Sequence, residues 1–333
     1  MRTLKMEGQS IVRVVHGPDP VPGPGQVVIE TAVSALCGSE LKSYCGAGIA
    51  QGNSGHEAVG TVVAVGQGVL TLQVGQRVGA SAISGCGACS YCAKGQYTWC
   101  RDRKFYGSMH AERFVAAANA CYPLPADLAW DAAVLITGDG MGVPYHTAAK
   151  LASPEIQTVA VFGVGPIGLG NVLMQSHFGR QVIAIDVVPE RLQAAKALGA
   201  SAVVHAQEVD PVAHVRMLTD EAGADVCIEA AGRPETALAC FDAVRTAGMV
   251  VFNGEQPALP LSPSDHFIRR DITAVGSWYY HFSEIDQILA LYRNGLRVTD
   301  LISHRYPFED AADAFARFAS GQSSKVLLQY KQD

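Results

Sequence analysis

Four cysteines of the chain lie close enough together to bind one metal ion. Cys86, Cys89, Cys92 and Cys100 are separated by two, two and seven residues. Disulfides in such short loops would be strained, and a redox pair of the Cys-x-x-Cys kind usually sits at a strand-to-helix turn, not in a Gly-rich loop with three cysteines at that spacing. Four thiolates can close a tetrahedron around zinc and leave no open position for a substrate. We therefore predict a structural zinc site here and expect the reaction chemistry elsewhere.

A glycine-rich turn in the second half has the spacing of a dinucleotide cradle. The segment "VAVFGVGPIGLG" follows an apolar strand pattern and opens a helix pattern, which is the context that G-x-G-x-x-G requires. The glycines let the backbone approach a pyrophosphate, and the helix N-terminus favours its negative charge. The predicted cofactor-binding residues are Gly163, Gly165, Pro166, Ile167, Gly168, Asp186 and Arg191.

Asp186 decides the expected cofactor. It ends the next predicted strand, where a carboxylate accepts hydrogen bonds from a ribose diol and repels a 2′-phosphate. Val187 and Val188 offer no positive charge to such a phosphate, and Arg191 is five residues on. The sequence therefore favours NAD over NADP.

The chain has two parts with different secondary-structure patterns. Residues 1 to about 135 are Gly/Pro-rich with short alternating runs, which predicts a β-rich unit with many loops. From about residue 158, strand patterns alternate with helix patterns, including a helix over 234–248, which predicts a doubly wound parallel sheet. After residue 276 we expect a helix, a strand, a helix and a final strand.

Composition excludes several classes of protein. The 333 residues suggest about two domains, and 49% of them are hydrophobic, enough for a core. With a net charge of −6 and no basic block, nucleic-acid binding is not expected. The sequence contains no run of about 18 apolar residues, so a membrane span is not expected. The N-terminus does not resemble a signal peptide. Nine cysteines without a leader fit a reducing compartment, so we expect a cytoplasmic protein.

Cys37 and His56 are candidate ligands of a second metal ion because of the motifs that accompany them. Cys37 and His56 alone would more often be core residues. However, "GHE" followed by Gly60 and Gly66, the four-cysteine stretch and the "GVGPIG" turn occur together in this order. With these motifs the whole chain resembles the zinc-dependent alcohol dehydrogenases of the medium-chain dehydrogenase/reductase superfamily.

The resemblance implies an α/β protein of two domains. A GroES-like, β-rich catalytic domain would comprise residues 1–139 and 277–333, with the zinc lobe near 84–103. A Rossmann domain with a doubly wound parallel sheet, residues 140–276, would bind NAD. A catalytic zinc would lie in the cleft between them, which makes two zinc ions per chain.

The resemblance also assigns the ligands of the catalytic zinc. Cys37 and His56 match the first two, and Glu57 matches an adjacent carboxylate that binds the metal in some members. The polyol and threonine dehydrogenases have a carboxylate as the last ligand, and Asp139 stands at that place, although "GDG" could also be a simple turn. Ser39 matches the hydroxyl that takes the substrate proton.

The resemblance also bears on four further residues near these motifs, some of which depart from the family pattern. Glu40 matches an acidic residue that orients the zinc histidine, although it could be a solvated loop carboxylate. Lys42 replaces the histidine that passes the proton to solvent in many members. In "GSWYYHF", which the resemblance places along the substrate cleft, Tyr279 replaces an arginine of sorbitol dehydrogenases, and Tyr279 and Tyr280 could offer hydroxyl groups.

The expected reaction is hydride transfer to NAD from a secondary alcohol that resembles a polyol or a cyclitol. The alternatives are an NADP-dependent aldehyde or ketone reductase of the same fold and a non-catalytic NAD-binding protein. The expected partner is a small alcohol or carbonyl compound, and the expected assembly is a homodimer or homotetramer.

Overall fold

The computed structural model describes residues 1–331, which form two compact units. The first unit comprises Met1–Gly142, Tyr280–Asn294 and the chain from Val298 onward. The second comprises Val143–Tyr279 and Gly295–Arg297.

Strands dominate the N-terminal part of the first unit, as its alternating pattern predicts. The strands are β1 (Arg2–Gly8), β2 (Ile11–His16), β3 (Gln26–Ala35), β4 (Ala58–Val65), β5 (Arg77–Ala80), β6 (Ile83–Ser84), β7 (Lys104–Phe105), β8 (Arg113–Ala117) and β9 (Cys121–Pro123). The helices are α1 (Leu41–Cys45), α2 (Trp130–Ile136) and α3 (Asp139–Lys150), the last of which runs on into the second unit.

The second unit alternates strands and helices. Its strands are β10 (Thr158–Phe162), β11 (Gln181–Asp186), β12 (Ala202–His205), β13 (Ala224–Glu229), β14 (Val244–Phe252) and β15 (Thr273–Gly276). Its helices are α4 (Pro166–His177), α5 (Pro189–Ala197), α6 (Pro211–Met217) and α7 (Pro234–Ala243), followed by a π-helical turn at Pro263–Ile268. The chain then returns to the first unit with α8 (Ile285–Arg293), β16 (Ile302–Pro307), α9 (Ala311–Ala319) and β17 (Lys325–Gln329).

The sheet of the first unit joins the two ends of the chain. Its strand order is β16-β17-β3-β4-β5-β9, and β8 also pairs with β3. Helix α9 explains how the C-terminal part is held. Its buried residues Ala311, Ala314, Phe315 and Phe318 recur at helical spacing, and they pack with Leu4 and other residues of one hydrophobic cluster. The N-terminal hairpin β1–β2 contributes to the same cluster.

The second unit has the strand order of a doubly wound nucleotide-binding sheet. The order is β12-β11-β10-β13-β14-β15, and every neighbouring pair is parallel. The first strand of this unit, β10, is therefore central, and its carboxyl end meets the glycine-rich turn. This arrangement confirms the predicted Rossmann sheet.

Two details of the second unit differ from the sequence expectation. The helix expected over 234–248 ends at Ala243, because Val244 already begins β14. The strand is irregular there: Ala247 has a φ of 56°, and the pairing of β13 with β14 shifts register between Ala224 and Val226. The structure also contains β12, α6 and β15, which are too short to give a clear pattern in the sequence.

Candidate metal and cofactor sites

Four predicted residues of the first unit bring metal-binding atoms together. The Sγ of Cys37, a ring nitrogen of His56 and carboxylate oxygens of Glu57 and Asp139 all lie within 4.8 Å of one another. Cys37 follows β3, His56 and Glu57 directly precede β4, and Asp139 is the first residue of α3. The sheet thus collects residues that are about a hundred positions apart in the chain.

His56 is oriented by its backbone surroundings. Its Nδ1 lies 2.9 Å from the carbonyl oxygen of Ser54, so this nitrogen donates and Nε2 is left to face the cluster. Nε2 lies 3.2 Å from Asp139 Oδ2, which in turn lies 3.8 Å from the Sγ of Cys37. Burial disfavours the charged imidazole, but the neighbouring Cys37 and Asp139 outweigh burial and raise the pKa of His56 well above its usual value.

The donor set of this cluster fits a metal ion. Asp139 is buried, and its Oδ1 has no hydrogen-bond partner among residues 1–331. A buried carboxylate oxygen without a partner is costly, and a cation supplies what the protein does not. One thiolate, one imidazole and one carboxylate are a ligand set that zinc accepts with a fourth position open.

Glu57 differs from Asp139 because the protein already satisfies its oxygens. One oxygen pairs with the ammonium group of Lys325, and the other accepts a hydrogen bond of 3.2 Å from the backbone N–H of Gly140. Lys325 also donates to the carbonyl oxygen of Leu36 at 3.2 Å, and both charged side chains are fully buried. Burial raises the pKa of Glu57, while the nearby carboxylate of Glu57 outweighs burial and raises the pKa of Lys325.

Lys325 belongs to this cluster, although no motif of the sequence pointed to it. It stands at the first position of β17, directly before the apolar run "VLL". A lysine at the start of a fully buried strand was the available signal, since lysine is rarely buried without a partner.

Glu40 is buried, and its partners differ from those expected. It does not act as the hydrogen-bond partner of His56, whose Nδ1 is taken by the Ser54 carbonyl. Instead, Glu40 accepts from the backbone N–H of Cys37 at 2.9 Å and pairs with Nε2 of His110 at 3.0 Å. Burial alone would raise the pKa of Glu40, but the interaction with His110 outweighs it and lowers the pKa. The reading as a solvated loop carboxylate is wrong, since the side chain is 0% exposed.

Two residues beside Cys37 are open to solvent. Ser39 is exposed, and its hydroxyl donates to the Sγ of Cys37 at 3.4 Å, so it borders the cluster. Lys42 is also exposed, on α1.

The aromatic segment at 276–282 is partly engaged in internal packing. Tyr280 is 1% exposed, and its hydroxyl donates to the carbonyl oxygen of Thr137. The expectation that Tyr280 offers its hydroxyl to a substrate is therefore wrong. Tyr279 is buried as well and has a φ of 57°, an uncommon conformation for a bulky residue.

The four-cysteine stretch forms a second cluster in the first unit. The sulfur atoms of Cys86, Cys89, Cys92 and Cys100 all lie within 4.8 Å of one another, and all nine cysteines of the chain are free thiols. Backbone N–H groups lower the pKa of Cys86 to about 7, whereas burial raises the pKa of Cys92 to about 12. A buried thiol of this kind ionises when a metal cation binds it. The cluster thus fits the expected closed zinc site.

The glycine-rich turn of the second unit has the geometry that its spacing predicts. Gly163 has a φ of 87°, and Pro166 begins α4 directly after Gly165. A Cβ on Gly168 would lie 2.0 Å from the carbonyl oxygen of Gly163, so only glycine allows the helix to approach the strand. Ile167 lies in the first turn of α4. The turn therefore presents a helix N-terminus to a ligand.

Asp186 lies next to this turn. Its Oδ2 accepts a hydrogen bond of 2.8 Å from the N–H of Val164, inside the glycine turn, and its Oδ1 accepts from Val187 and Val188. The guanidinium of Arg191 lies 3.8 Å from Asp186 Oδ2. The predicted cofactor residues Asp186, at the end of β11, and Arg191, in the first turn of α5, thus lie together.

Comparisons with known proteins agree with both units. Residues 23–126 match the alcohol dehydrogenase GroES-like domain, and residues 166–294 match the zinc-binding dehydrogenase domain. A sorbitol dehydrogenase of Halalkalibacterium halodurans is 31% identical over 96% of this chain and 98% of its own length. An L-threonine 3-dehydrogenase of Symbiobacterium thermophilum is 30% identical over 98% of this chain and 97% of its own length.

A solved structure extends the likeness to the fold. An alcohol dehydrogenase (rspB) of Escherichia coli CFT073, in complex with the cofactor NADH, has a TM-score of 0.87 and 25% identity, and each chain covers 99% of the other. The chain belongs to the zinc-dependent alcohol dehydrogenase family, in the branch of the polyol and threonine dehydrogenases. It is a dehydrogenase with a GroES-like domain and a Rossmann domain, and it acts with zinc and a nicotinamide cofactor on a small alcohol.

Within residues 1–331, no helix combines the length and the apolar character that crossing a membrane requires.

Proposed function

We propose that the protein oxidises a secondary hydroxyl group of a polyol-like substrate with NAD, using a zinc ion held by Cys37, His56 and Asp139. The Oδ1 of buried Asp139 carries this proposal, because it is an acceptor at the cluster that residues 1–331 leave without a hydrogen-bond partner. In the same proposal, the four cysteines hold a second, structural zinc, and the two units are the catalytic and coenzyme domains.

Glu57 is then a neighbour of the metal and not its third ligand. Its oxygens are engaged by Lys325 and by the N–H of Gly140, so binding a cation would mean giving up a buried ion pair. The pair leaves the cluster with one thiolate, one carboxylate and one neutral imidazole as free donors, whose formal charge balances a divalent ion.

When bound, zinc supplies Lewis-acid chemistry that makes a substrate hydroxyl acidic. The chain supplies the remaining steps. Ser39, exposed and with its hydroxyl 3.4 Å from the Sγ of Cys37, would accept the substrate's hydroxyl proton while releasing its own hydroxyl proton toward solvent. A bound nicotinamide would supply the acceptor for the hydride of the substrate carbon. Lys42 is exposed on the following helix, where it can pass the proton to solvent.

The likeness to a sorbitol dehydrogenase supports a substrate with several hydroxyl groups. Sorbitol is a polyol, and a carboxylate in place of a second thiolate gives a harder ligand set that suits oxygen-rich compounds. For the cofactor, Asp186 beside the glycine turn supports NAD, since its charge disfavours a 2′-phosphate.

The deciding experiment measures NADH or NADPH formation with each cofactor against a panel of polyols, L-threonine and ethanol. We expect turnover with NAD and a polyol. A preference for NADP refutes the cofactor assignment, and a preference for ethanol refutes the substrate class. If zinc-loaded protein forms neither product with any alcohol, a non-catalytic protein is the better interpretation.

A further inference from the structure

One side of the segment Tyr280–Ser283 packs on the four-cysteine lobe. The hydroxyl of Thr98 lies 2.7 Å from Nδ1 of His281, and both side chains are buried. The ring of Trp99 meets the same imidazole edge-on, with ring centroids 4.4 Å apart. Thr98 and Trp99 directly precede the predicted zinc ligand Cys100. His281 therefore contacts the lobe next to its last cysteine.

Two further contacts fix the same segment. The rings of Tyr97 and Phe282 are stacked with centroids 5.3 Å apart, and the N–H of Ser283 donates to the carbonyl oxygen of Gly95 at 3.2 Å. A Cβ on Gly95 would lie 2.9 Å from the Cβ of Ser283, so the backbones approach as closely as glycine allows. The segment is therefore attached to the lobe over several residues.

The other end of the segment holds the start of α3. The Tyr280 hydroxyl donates to the carbonyl oxygen of Thr137, two residues before Asp139. Its ring fills the space beside Gly142, where a Cβ would lie 2.2 Å from the ring. Tyr280 thus contacts the backbone on both sides of Asp139.

Asp139 depends on this backbone support. Its Oδ1 has no hydrogen-bond partner among the described residues, and its Oδ2 faces only other members of the cluster, His56 and Cys37. The carboxylate is therefore directed at the metal position by the first turn of α3 and not by a neighbouring donor. A shift of that turn moves the ligand directly.

We propose that Tyr280 and His281 are positioning residues, which transmit the packing of the four-cysteine lobe to the first turn of α3 and hold the Asp139 carboxylate for the metal. The inference rests on the proposed function, in which Asp139 is a zinc ligand. It gives the closed zinc site a role beyond local folding, because the order of the lobe then sets the affinity of the other site.

Zinc removal from the fully loaded protein by a chromophoric chelator tests this inference. Tyr280→Phe deletes the hydroxyl bonded to Thr137, and Thr98→Val deletes the hydroxyl bonded to His281. Tyr122→Phe is a matched control, since its hydroxyl is bonded to Asp286 and not to α3. Thr31→Val is the second control, because Thr31 is also buried and bonded to the carbonyl of Ala111.

We expect Tyr280→Phe and Thr98→Val to release one of the two zinc ions about tenfold faster, which corresponds to about 1.4 kcal/mol. The controls should stay near the wild-type rate. The absorption bands of cobalt at the site with one thiolate should also change in both test variants and in neither control. Asp139→Ala identifies which zinc ion is released faster. In that variant, the zinc bound by Cys37, His56 and Asp139 should be missing, and its release should therefore not be observed.

Control-like release in both test variants overturns the inference, while the proposed function stands if the wild type holds two zinc ions and forms NADH. An effect of Tyr280→Phe without one of Thr98→Val refutes the link to the lobe. If Thr98→Val loses the four-cysteine zinc, faster release at the other site supports the inference, and an unchanged release rate refutes it. A wild type with a single zinc ion would overturn the proposed function itself.

Discussion

At the scale of single residues, two carboxylates are candidates for the same metal position, and their hydrogen bonds distinguish them. Glu57 is bonded on both oxygens, whereas Asp139 keeps a buried oxygen without a partner among residues 1–331. Residue type and spacing indicate that Glu57 and Asp139 are both candidate ligands, but they do not show which of the two binds the metal. The ranking comes from Lys325 and Gly140, which are far from Glu57 in the sequence.

Asp139→Ala should remove the zinc of the first cluster and leave the four-cysteine zinc in place, because it deletes a charged ligand from only one of the two clusters. Metal analysis should fall from two zinc ions per chain to one, and dehydrogenase activity should be lost. Asp131→Ala is the control, since Asp131 is also in a helix first turn but pairs with Arg305. Retention of both ions and of activity would make Asp139 a turn residue and Glu57 the better ligand.

Lys325→Met should lower the free energy of unfolding by about 3–5 kcal/mol, since it leaves the buried Glu57 carboxylate without its cation. The double variant Lys325→Met/Glu57→Gln should recover most of this loss, because neither buried charge is then left unpaired. Denaturant unfolding measures both effects. Lys196→Met serves as the control, as Lys196 is exposed and bonded to a backbone carbonyl. Equal stability of single and double variants would contradict the pairing.

Asp186→Ala should reduce kcat/KM with NAD by about fivefold to 150-fold, equivalent to about 1–3 kcal/mol for a lost charged hydrogen bond. The preference for NAD over NADP should become smaller. Because Asp186 also accepts hydrogen bonds from backbone N–H groups, the substitution can lower the stability of the protein, and this effect needs a control. Asp210→Ala removes a similar carboxylate from the start of α6, where it accepts from Val212 and Ala213. An unchanged ratio between the two cofactors would refute the role of Asp186.

At the scale of elements, the sequence predicts best where one short segment contains the whole signal. The strand, turn and helix around Gly163 need only local residues, and the structure confirms them. The contacts of Glu40 with His110 and of Tyr280 with Thr137 join positions 70 and 143 residues apart. Periodicity contains no information on such pairs. The predicted partners, His56 for Glu40 and a substrate for Tyr280, were therefore wrong.

Gly168→Ala should weaken cofactor binding and destabilise the second unit, because its methyl group would collide with the carbonyl oxygen of Gly163 and push α4 from β10. Isothermal titration with NADH and thermal unfolding measure the two effects. Gly276→Ala is the matched control, since a Cβ there meets no atom within 4 Å. Similar behaviour of the two variants would show that the close approach of helix and strand is dispensable.

At the scale of the whole molecule, the chain places two clusters of potential metal ligands, of different design, in one unit. The four-cysteine cluster is closed, and its ligands come from one stretch of the chain. The other collects Cys37, His56 and Asp139 from separate elements of the sheet and of α3. We therefore expect the four-cysteine cluster to bind a metal once its own stretch of chain has folded, whereas the cluster of Cys37, His56 and Asp139 forms only when the unit is complete.

Cys86→Ala should lower stability and soluble yield, because a closed site contributes its metal-binding free energy to folding. Asp139→Ala should cost less stability, since the sheet and α3 already bring that cluster together. Thermal unfolding of both variants, each with and without added zinc, checks the order. Cys45→Ala is the control, because Cys45 is an exposed free cysteine outside both clusters. If Cys86→Ala kept full stability and only slowed catalysis, the structural assignment of the four-cysteine cluster would be wrong.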